Sequence, residues 1–582
     1  MEQKKKFPVW KSFLELIRKI KLPFSLLLTA FLLNLGKAAI ELLVPEKMAD
    51  LSEMDISLGS PILKAAVLLS ITIFILALVN FIVGLISAYI TYIAKARINK
   101  EFQIAASRKV FSLKTALIEA KDPKEFISRV TTDTSFISDF LIDLMVIEIP
   151  RLYFLISSII KVTQMGNGFL ALAFILVIPV IILGSFWSGA VAFKTQNRLQ
   201  GVIASLTAKL AEKVGNMEVI KAYNQSEYEA LRGDVTIDEM KKAQKKTTLA
   251  AALNQLIANI LFVVPTIIIL LMGGIQLLSG NISTAVFIAY FALGATYQKY
   301  IADHLTLWVL AKRAQGATLR LSEVMAMEED VAGSKEADKA GAIHFDQVSF
   351  SYGDKEVVSN VSFTVPAGSK FAIVGQSGSG KSTLLNLIEQ FYRPEKGTIT
   401  LDGIPISEYE IQSYRNLFSY LPQNAPGFSG TIREMLCYGS SGDISDDKLW
   451  DLLAKVGMKE TVEVLGGLDY QVGTNASYLS GGQRQRLSVC RMLLKDARIV
   501  LADEATSALD VTGAITVQRL IDTYAKDKTR IIVAHDLSTI KDADMILVMD
   551  QGQAVDLGTH EELKERCVPY QHLLRQDKEE ES

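Results

Sequence analysis

A chain of 582 residues is too long for one compact core, and its mixture of 49% hydrophobic and 21% charged residues suits a protein that is part membrane and part soluble. A net charge of −2 excludes the basic footprint of a nucleic-acid protein, so no nucleic-acid partner is expected. Cys437, Cys490 and Cys567 lack paired metal-ligand spacing and read as reduced cytosolic thiols.

Residues 1–21 form an amphipathic segment in which Trp10, Phe13, Leu14, Leu16 and Ile17 lie among lysines, the pattern of a helix on the inner membrane surface. The apolar run 22–44 is too long for a signal-peptide core and ends in Pro45-Glu46-Lys47 instead of a small-residue cleavage site, so it reads as a retained first span. A helix needs about 20 apolar residues to cross a bilayer. Five further stretches qualify: 62–92, 136–161, 168–192, 251–278 and 284–308. The first connection carries Glu46, Asp50, Glu53 and Asp55, whereas the next, 93–135, carries Lys95, Arg97, Lys100, Arg108 and Lys109. The third is a few residues around Gly166-Asn167-Gly168, the fourth (193–250) is long and rich in lysine, and the fifth is a short turn at Ser279-Gly280-Asn281. Basic loops stay on the cytoplasmic side, which puts both termini and any soluble domain inside the cytoplasmic membrane. The long inner segments keep helical periodicity and are expected to project into the cytosol as continuations of the spans.

Charges inside spans are costly and face a cavity or each other. Lys37 and Glu41, and likewise Lys299 and Asp303, have the spacing of same-face pairs. Internal pairing, or helix extending beyond the bilayer, is expected for Asp139, Asp303 and His304, and a polar substrate cavity lined by Lys299 and Glu148 is the functional reading. Asp143 and Arg151 share the third span.

After 308 the sequence turns polar. A membrane domain over 22–326, a charged linker over 327–341 and an α/β domain over 342–582 follow from the composition and from short β-type runs alternating with helical ones. The expected fold is therefore a membrane α-helical bundle of six spans, extended into the cytosol, joined to a C-terminal α/β domain.

The run Phe371-Ala372-Ile373-Val374 reads as a buried strand that passes into Gly375-Gln376-Ser377-Gly378-Ser379-Gly380-Lys381-Ser382-Thr383 and then a helix. In that setting the pattern is a phosphate loop, and the C-terminal α/β domain is expected to be a P-loop NTPase domain. Glycines let backbone N–H groups turn toward phosphate oxygens, and the helix N-terminus adds a favourable dipole. Lys381 reaches the β- and γ-phosphates and the Ser382 hydroxyl ligates Mg²⁺, so ATP and Mg²⁺ are the expected ligands. A second strand, Ile499–Ala502, ends in Asp503-Glu504. One acid there can hold the metal shell and the next can orient the attacking water.

Between these elements lies Leu479-Ser480-Gly481-Gly482-Gln483. Here the sequence resembles the ATP-binding cassette (ABC) family, whose signature this pentapeptide is. Tyr352, Gln423 in Leu-Pro-Gln, Ser507-Ala508-Leu509-Asp510 and His535 follow in the family's order. The resemblance implies that Tyr352 stacks on adenine and that Gln423 sits by Mg²⁺ and the water. It implies that Glu504 is the catalytic carboxylate, that His535 contacts the γ-phosphate, and that Ser480, Gly481, Gly482 and Gln483 contact ATP on an opposite subunit. Lys381, Glu504 and His535 are then the catalytic set, and Ser382, Gln423 and Asp503 the metal set.

Glu125 to Asp133 and Glu218 to Asn224 are similar to the two intracellular segments of exporter-type members. Six spans fused to one cassette is the architecture of half-transporters such as bacterial lipid and multidrug exporters, which implies a second half-transporter, identical or different, as partner in a lipid membrane. The expected function is ATP-driven export by alternating access. Import of a metal-chelating siderophore on the same fold is the alternative, and the cargo, whether a small molecule, lipid or peptide, is left open. The six spans exclude a soluble DNA-repair or translation cassette protein. Glu504 argues against a channel or receptor that uses ATP only as a regulator, and a first span beginning near residue 22 disfavours a peptidase-bearing bacteriocin processor. Two departures from the family pattern stand out: Thr474 replaces the usual glutamate before the signature, and Asp536 follows His535 where arginine is common.

Overall fold

The computed structural model describes residues 9–52, 61–165, 168–330, 333–338, 341–440, 442–505, 509, 511–534 and 540–580. The chain divides into two compact units, Met1–Phe111 with Pro123–Met327, and Ser112–Asp122 with Glu328–Ser582.

The first unit is helical. A short amphipathic helix, α1 (Val9–Arg18), buries Phe13 and Leu16 and leaves Trp10 exposed. Phe13 meets Phe140 edge-on at 5.6 Å. The first span is α2 (Phe24–Ser52), which runs on past the expected end at residue 44 because Pro45 is carried inside the helix. Lys161 supports this stretch, donating to the Leu42 carbonyl at 2.7 Å and pairing with Glu46 at 2.6 Å. A proline in a span is tolerated where neighbouring helices satisfy its surroundings.

Next comes α3 (Pro61–Phe111), whose 51 residues would extend about 75 Å at 1.5 Å each, far more than the ~30 Å hydrocarbon core. Its apolar stretch from Ala65 is mostly unburied by protein, with Phe74, Leu78, Phe81 and Leu85 outward, as a lipid-facing surface requires. The short helix α4 (Thr115–Glu119) belongs to the second unit.

The third span is a continuous but irregular rod. It comprises α5 (Pro123–Ser128), a π-helical turn Arg129–Asp133, α6 (Thr134–Ile142), a second π turn Asp143–Glu148 and α7 (Ile149–Met165). Then come α8 (Gly168–Gly215), α9 (Met217–Ala222), α10 (Ser226–Leu278) and α11 (Thr284–Met325). The turn expected around residues 166–168 lies largely outside the described residues, while that at 279–281 is present and followed by Ser283 as N-cap of α11. The expected spans 62–92, 168–192, 251–278 and 284–308 each lie within one helix, 22–44 is helical from Phe24, and 136–161 runs through α6, the second π turn and α7. Residues 93–135 and 193–250 are helical over most of their length, as their periodicity predicts.

The second unit is an α/β domain with two sheets. Strands β1 (Ile343–Tyr352), β2 (Lys355–Val365), β4 (Lys396–Leu401) and β5 (Ile404–Pro405) form an antiparallel sheet in the order β2-β1-β4-β5. The other sheet runs β10-β9-β3-β8-β7-β6. Its strands are β3 (Lys370–Gly375), β6 (Phe418–Leu421), β7 (Ile499–Asp503), β8 (Thr529–Val533), β9 (Met545–Asp550) and β10 (Gln553–Gly558). All of its pairings are parallel except β9 with β10. Strands β3, β7 and β8 are buried throughout, which accounts for their apolar runs Phe371–Val374, Ile499–Ala502 and Ile531–Val533.

Helix α12 (Lys381–Ile388) follows β3 and α13 (Ile411–Asn416) precedes β6. Helices α14 (Ile432–Cys437), α15 (Asp446–Lys455), α16 (Lys459–Leu465) and α17 (Gly481–Lys495) separate β6 from β7, and α18 (Val511–Tyr524) follows β7. A closing pair, α19 (His560–Arg566) and α20 (Val568–Glu580), ends the unit. Ligand chemistry in such sheets collects at the C-terminal ends of parallel strands, here those of β3, β6 and β7.

Candidate active site

Strand β3 delivers the chain into the phosphate loop at Gly375, where φ is +153° and a β-carbon would sit 2.1 Å from the Met549 carbonyl oxygen. Gly378 and Gly380 also have positive φ, at +81° and +99°. These conformations are accessible to glycine at little cost and turn the loop back over the start of α12. Gln376 and Ser377 are exposed, whereas Ser379 and Thr383 are buried. The Ser379 hydroxyl has no protein hydrogen-bond partner among the described residues, a free donor inside a loop suited to phosphate oxygens.

Lys381, 5% exposed, donates from Nζ to the carbonyls of Gly375 at 2.9 Å and Gln376 at 3.0 Å. Burial lowers its pKa, and the nearby Glu504 and Asp503 carboxylates act in the opposite sense. The end of β7 places Asp503 beside the loop: Ser382 Oγ donates to Asp503 Oδ1 at 3.1 Å. Burial pushes the Asp503 carboxyl upward, opposed by the Ser382 hydrogen bond. Glu504 then takes a left-handed conformation, φ +44°, with its amide donating to the Val533 carbonyl at 3.0 Å. Non-glycine residues adopt that region only when their surroundings enforce it. Gln423, two residues past β6, donates from Nε2 to Glu504 Oε2 at 2.5 Å. Adjacent parallel strands thus bring Gln423, Asp503 and Glu504 together, and β3 supplies Lys381 and Ser382.

The Ser382 hydroxyl, the Asp503 carboxylate and the Gln423 side-chain carbonyl form an oxygen-donor set of the kind that suits a hard divalent cation. On that chemistry the residues present fit Mg²⁺.

Tyr352, at the end of β1, is 40% exposed, and its hydroxyl accepts from Asn386 Nδ2 of α12 at 3.4 Å. Ser480 is the N-cap of α17, with Oγ accepting from the Gln483 amide at 3.2 Å while Gln483 Oε1 accepts from the Ser480 amide at 2.8 Å. Ser480 and Gly481 are exposed, and Gly482 and Gln483 are partly so. Thr474, exposed like Asn475, opens a 3₁₀ turn, Thr474–Ala476, in which Asn475 has φ +53° and Ala476 is buried. A β-carbon on Gly427, downstream of Gln423, would lie 2.8 Å from the Asn475 carbonyl oxygen, so the Gln423 loop and the Thr474 turn press closely together. His535, Asp536, Ser507, Ala508 and Asp510 lie outside the described residues.

Sequence reasoning missed Gln485, which is 1% exposed and donates to the Ala505 carbonyl at 2.7 Å, tying the signature helix to the loop after Glu504. Nothing in its local sequence marks it.

In the membrane unit, Lys37 lies 3.9 Å from Glu41, and Glu41 also accepts from the Tyr300 hydroxyl. Asp139 pairs with Lys95 at 2.8 Å. Glu148 is buried, bonded to Arg151 at 2.7 Å and to His304, while Lys299 is exposed. Of the two residues expected to line a cavity, Glu148 thus pairs internally, because an unpaired buried charge costs more than the pairing.

Among known proteins, the ABC transporter transmembrane region matches residues 26–300 and the ABC transporter ATPase region matches residues 358–507. An ATP-dependent lipid A-core flippase of Burkholderia thailandensis is 31% identical over 86% of this chain and 85% of its own length. The chain belongs to the ABC transporters. A Lactococcus lactis multidrug resistance ABC transporter ATP-binding and permease protein is 29% identical over 95% of this chain and 93% of its own. The fold matches a bacterial Atm1-family ABC exporter solved with ATP bound, at a TM-score of 0.84 and 22% identity over 95% of this chain and 99% of that one. This ABC transporter is thus a membrane protein with an ATPase domain on the same chain, built on the exporter fold, and its ATPase is coupled to transmembrane movement of substances.

Proposed function

We propose that the chain is one half of a dimeric exporter in the cytoplasmic membrane, with both termini and the cassette inside and an amphipathic molecule as cargo. The observation that carries the catalytic part is the convergence of Lys381, Ser382, Asp503, Glu504 and Gln423 at the ends of β3, β7 and β6, with two direct side-chain bonds among them. Basic inner loops support the orientation. The lipid and multidrug relatives support an amphipathic cargo and outward transport.

In this reading residues 22–326 are the membrane domain, 327–341 the linker and 342–582 the cassette. Tyr352 stacks on adenine. The loop amides from Gln376 to Thr383 wrap the phosphates, with Lys381 at the β- and γ-phosphates. Glu504, oriented by Gln423, holds and polarises the attacking water, and His535 touches the γ-phosphate. Mg²⁺ held by Ser382, Asp503 and Gln423 would neutralise charge on the phosphate oxygens. Phosphoryl transfer needs chiefly that positioning and neutralisation. Ser480 to Gln483 complete the site of a partner chain, and closure of the two cassettes drives alternating access.

Glu504→Gln should reduce ATP turnover about 100-fold or more, the share a positioned general base supplies, while nucleotide stays bound. Retained hydrolysis would defeat the assignment. Direction is read in inside-out vesicles with a fluorescent amphiphile: ATP-dependent uptake is expected, and ATP-dependent loss would overturn export.

A further inference from the structure

The short segment 112–122 leaves the end of α3, carries α4, and packs wholly within the cassette unit. Toward its far end the Tyr392 hydroxyl donates to the carboxylate of Glu119, the last residue of α4. Tyr392 stands just beyond α12, the phosphate-loop helix, and its ring meets that of Tyr352 edge-to-face at 4.9 Å and 85°. Phe350 closes the cluster, 5.3 Å from Tyr392 and 4.9 Å from Tyr352.

The near end of the segment is tied to the same place. Lys114 pairs with Glu328, Leu113 and Glu329 form an antiparallel bridge, and the Asp330 amide donates to the Ser112 carbonyl at 2.7 Å. Asp330 in turn accepts from Arg415 Nη1 at 2.6 Å. Arg415 donates to the carbonyls of Glu389 at 3.0 Å and Gln390 at 3.1 Å, the residues directly after α12. Both ends of the segment therefore reach residues 389–392.

We propose that Tyr392 is a positioning residue that carries occupancy of the adenine platform to the intracellular segment 112–122. The proposal rests on reading Tyr352 as that platform. A base stacked on Tyr352 restricts its ring, the edge-to-face contact restricts Tyr392, and the phenol then holds Glu119. Aromatic pairs have a preferred geometry, so fixing one ring orders the other. A phenylalanine at 392 would fill the same half-buried space, and the hydroxyl adds only the bond to Glu119. This path reads the base, whereas Gln423 sits at the phosphate end. A nucleotide with a smaller base should therefore transmit less even when its triphosphate is bound.

The test uses the full-length chain in nanodiscs, in a Glu504→Gln background so that nucleotide binds without turnover. Backbone hydrogen exchange of residues 112–122 is followed without nucleotide, with ATP and with UTP. ATP is expected to slow exchange severalfold and UTP less. With Tyr392→Phe the ATP response should fall to the UTP level while the affinity for a fluorescent ATP analogue holds. Glu119→Ala should do the same, and Glu119→Gln, which still accepts the phenol proton, should keep the response. A full ATP response in Tyr392→Phe would overturn the proposal, as would exchange raised equally with and without nucleotide, the mark of a merely structural contact. Tyr352→Ala separates the two readings. Unchanged ATP affinity there removes the adenine platform itself, whereas lost affinity combined with a silent Tyr392→Phe removes the relay alone.

Discussion

Glu389 lies directly behind the phosphate-loop helix and is 7% exposed. Burial pushes its carboxyl up to about 7, against the opposing pull of Lys495 and Arg415. The folded state therefore holds this proton more tightly than the unfolded chain, whose carboxyl titrates near 4.5. The associated stability is complete below the unfolded value and is lost as pH rises toward 7, a change on the order of 3 kcal/mol. Glu389→Gln removes the titration at nearly constant shape. The variant should gain thermal midpoint over the parent at pH 8 and little at pH 5, measured on full-length protein. An equal shift at both pH values would exclude the linkage. The glycines of the same loop are legible from sequence because part of their constraint is local: Gly375, Gly378 and Gly380 all take positive φ, which favours glycine. Glu389 and Tyr392 are silent there, since the burial of the one and the bond of the other to Glu119 arise only when distant parts of the chain come together.

The third span shows the same division at the scale of an element. Its apolar length and basic flank give its presence and orientation, but not the two π turns at Arg129–Asp133 and Asp143–Glu148. Such turns follow from side chains that need a particular angle, and they gather at functional sites. Asp133, the last residue of the first turn, is 1% exposed. It accepts from Arg129 at 3.3 Å and from Arg320 of α11, through Nε at 3.0 Å and a second guanidinium nitrogen. Arg129 also bonds Glu125 at 2.8 Å. The stretch from Glu125 to Asp133 is thus an ion-pair cluster joining two helices, and its partner Arg320 is invisible to any local pattern. Breaking a buried pair costs about 3–5 kcal/mol because one charge is stranded. Asp133→Asn should therefore open residues 123–135 to limited proteolysis. Arg320→Lys should do so partly, since lysine lacks the planar fork that engages both carboxylate oxygens. Unchanged cleavage in Asp133→Asn would show that the cluster does not hold the helices together.

For the whole molecule the decisive question is how many chains make one site. Around Lys381, Ser382 and Glu504 the side-chain bonds among the described residues come from the loop itself, Asp503 and Gln423. The signature serine and glutamine instead cap their own helix, which presents exposed backbone at the N-terminus of α17. Helix N-termini attract anions, and in the function proposed above this end meets the phosphates of a partner chain's ATP. If two copies of this chain form the transporter, two broken versions should complement. A Lys381→Ala chain keeps its signature and a Ser480→Arg chain keeps its phosphate loop, so each is inactive alone. Mixed at equal amounts, about half of the dimers are heterotypic, and each carries one intact composite site. If sites act independently, ATPase should return to about a quarter of the parent value, and strict cooperation between sites would push it lower. A parent chain active alone whose mixture stays at the level of the single variants would contradict composite sites. A parent chain inactive alone would instead point to a different partner, because the same geometry leaves each site waiting for a signature that another gene product must bring.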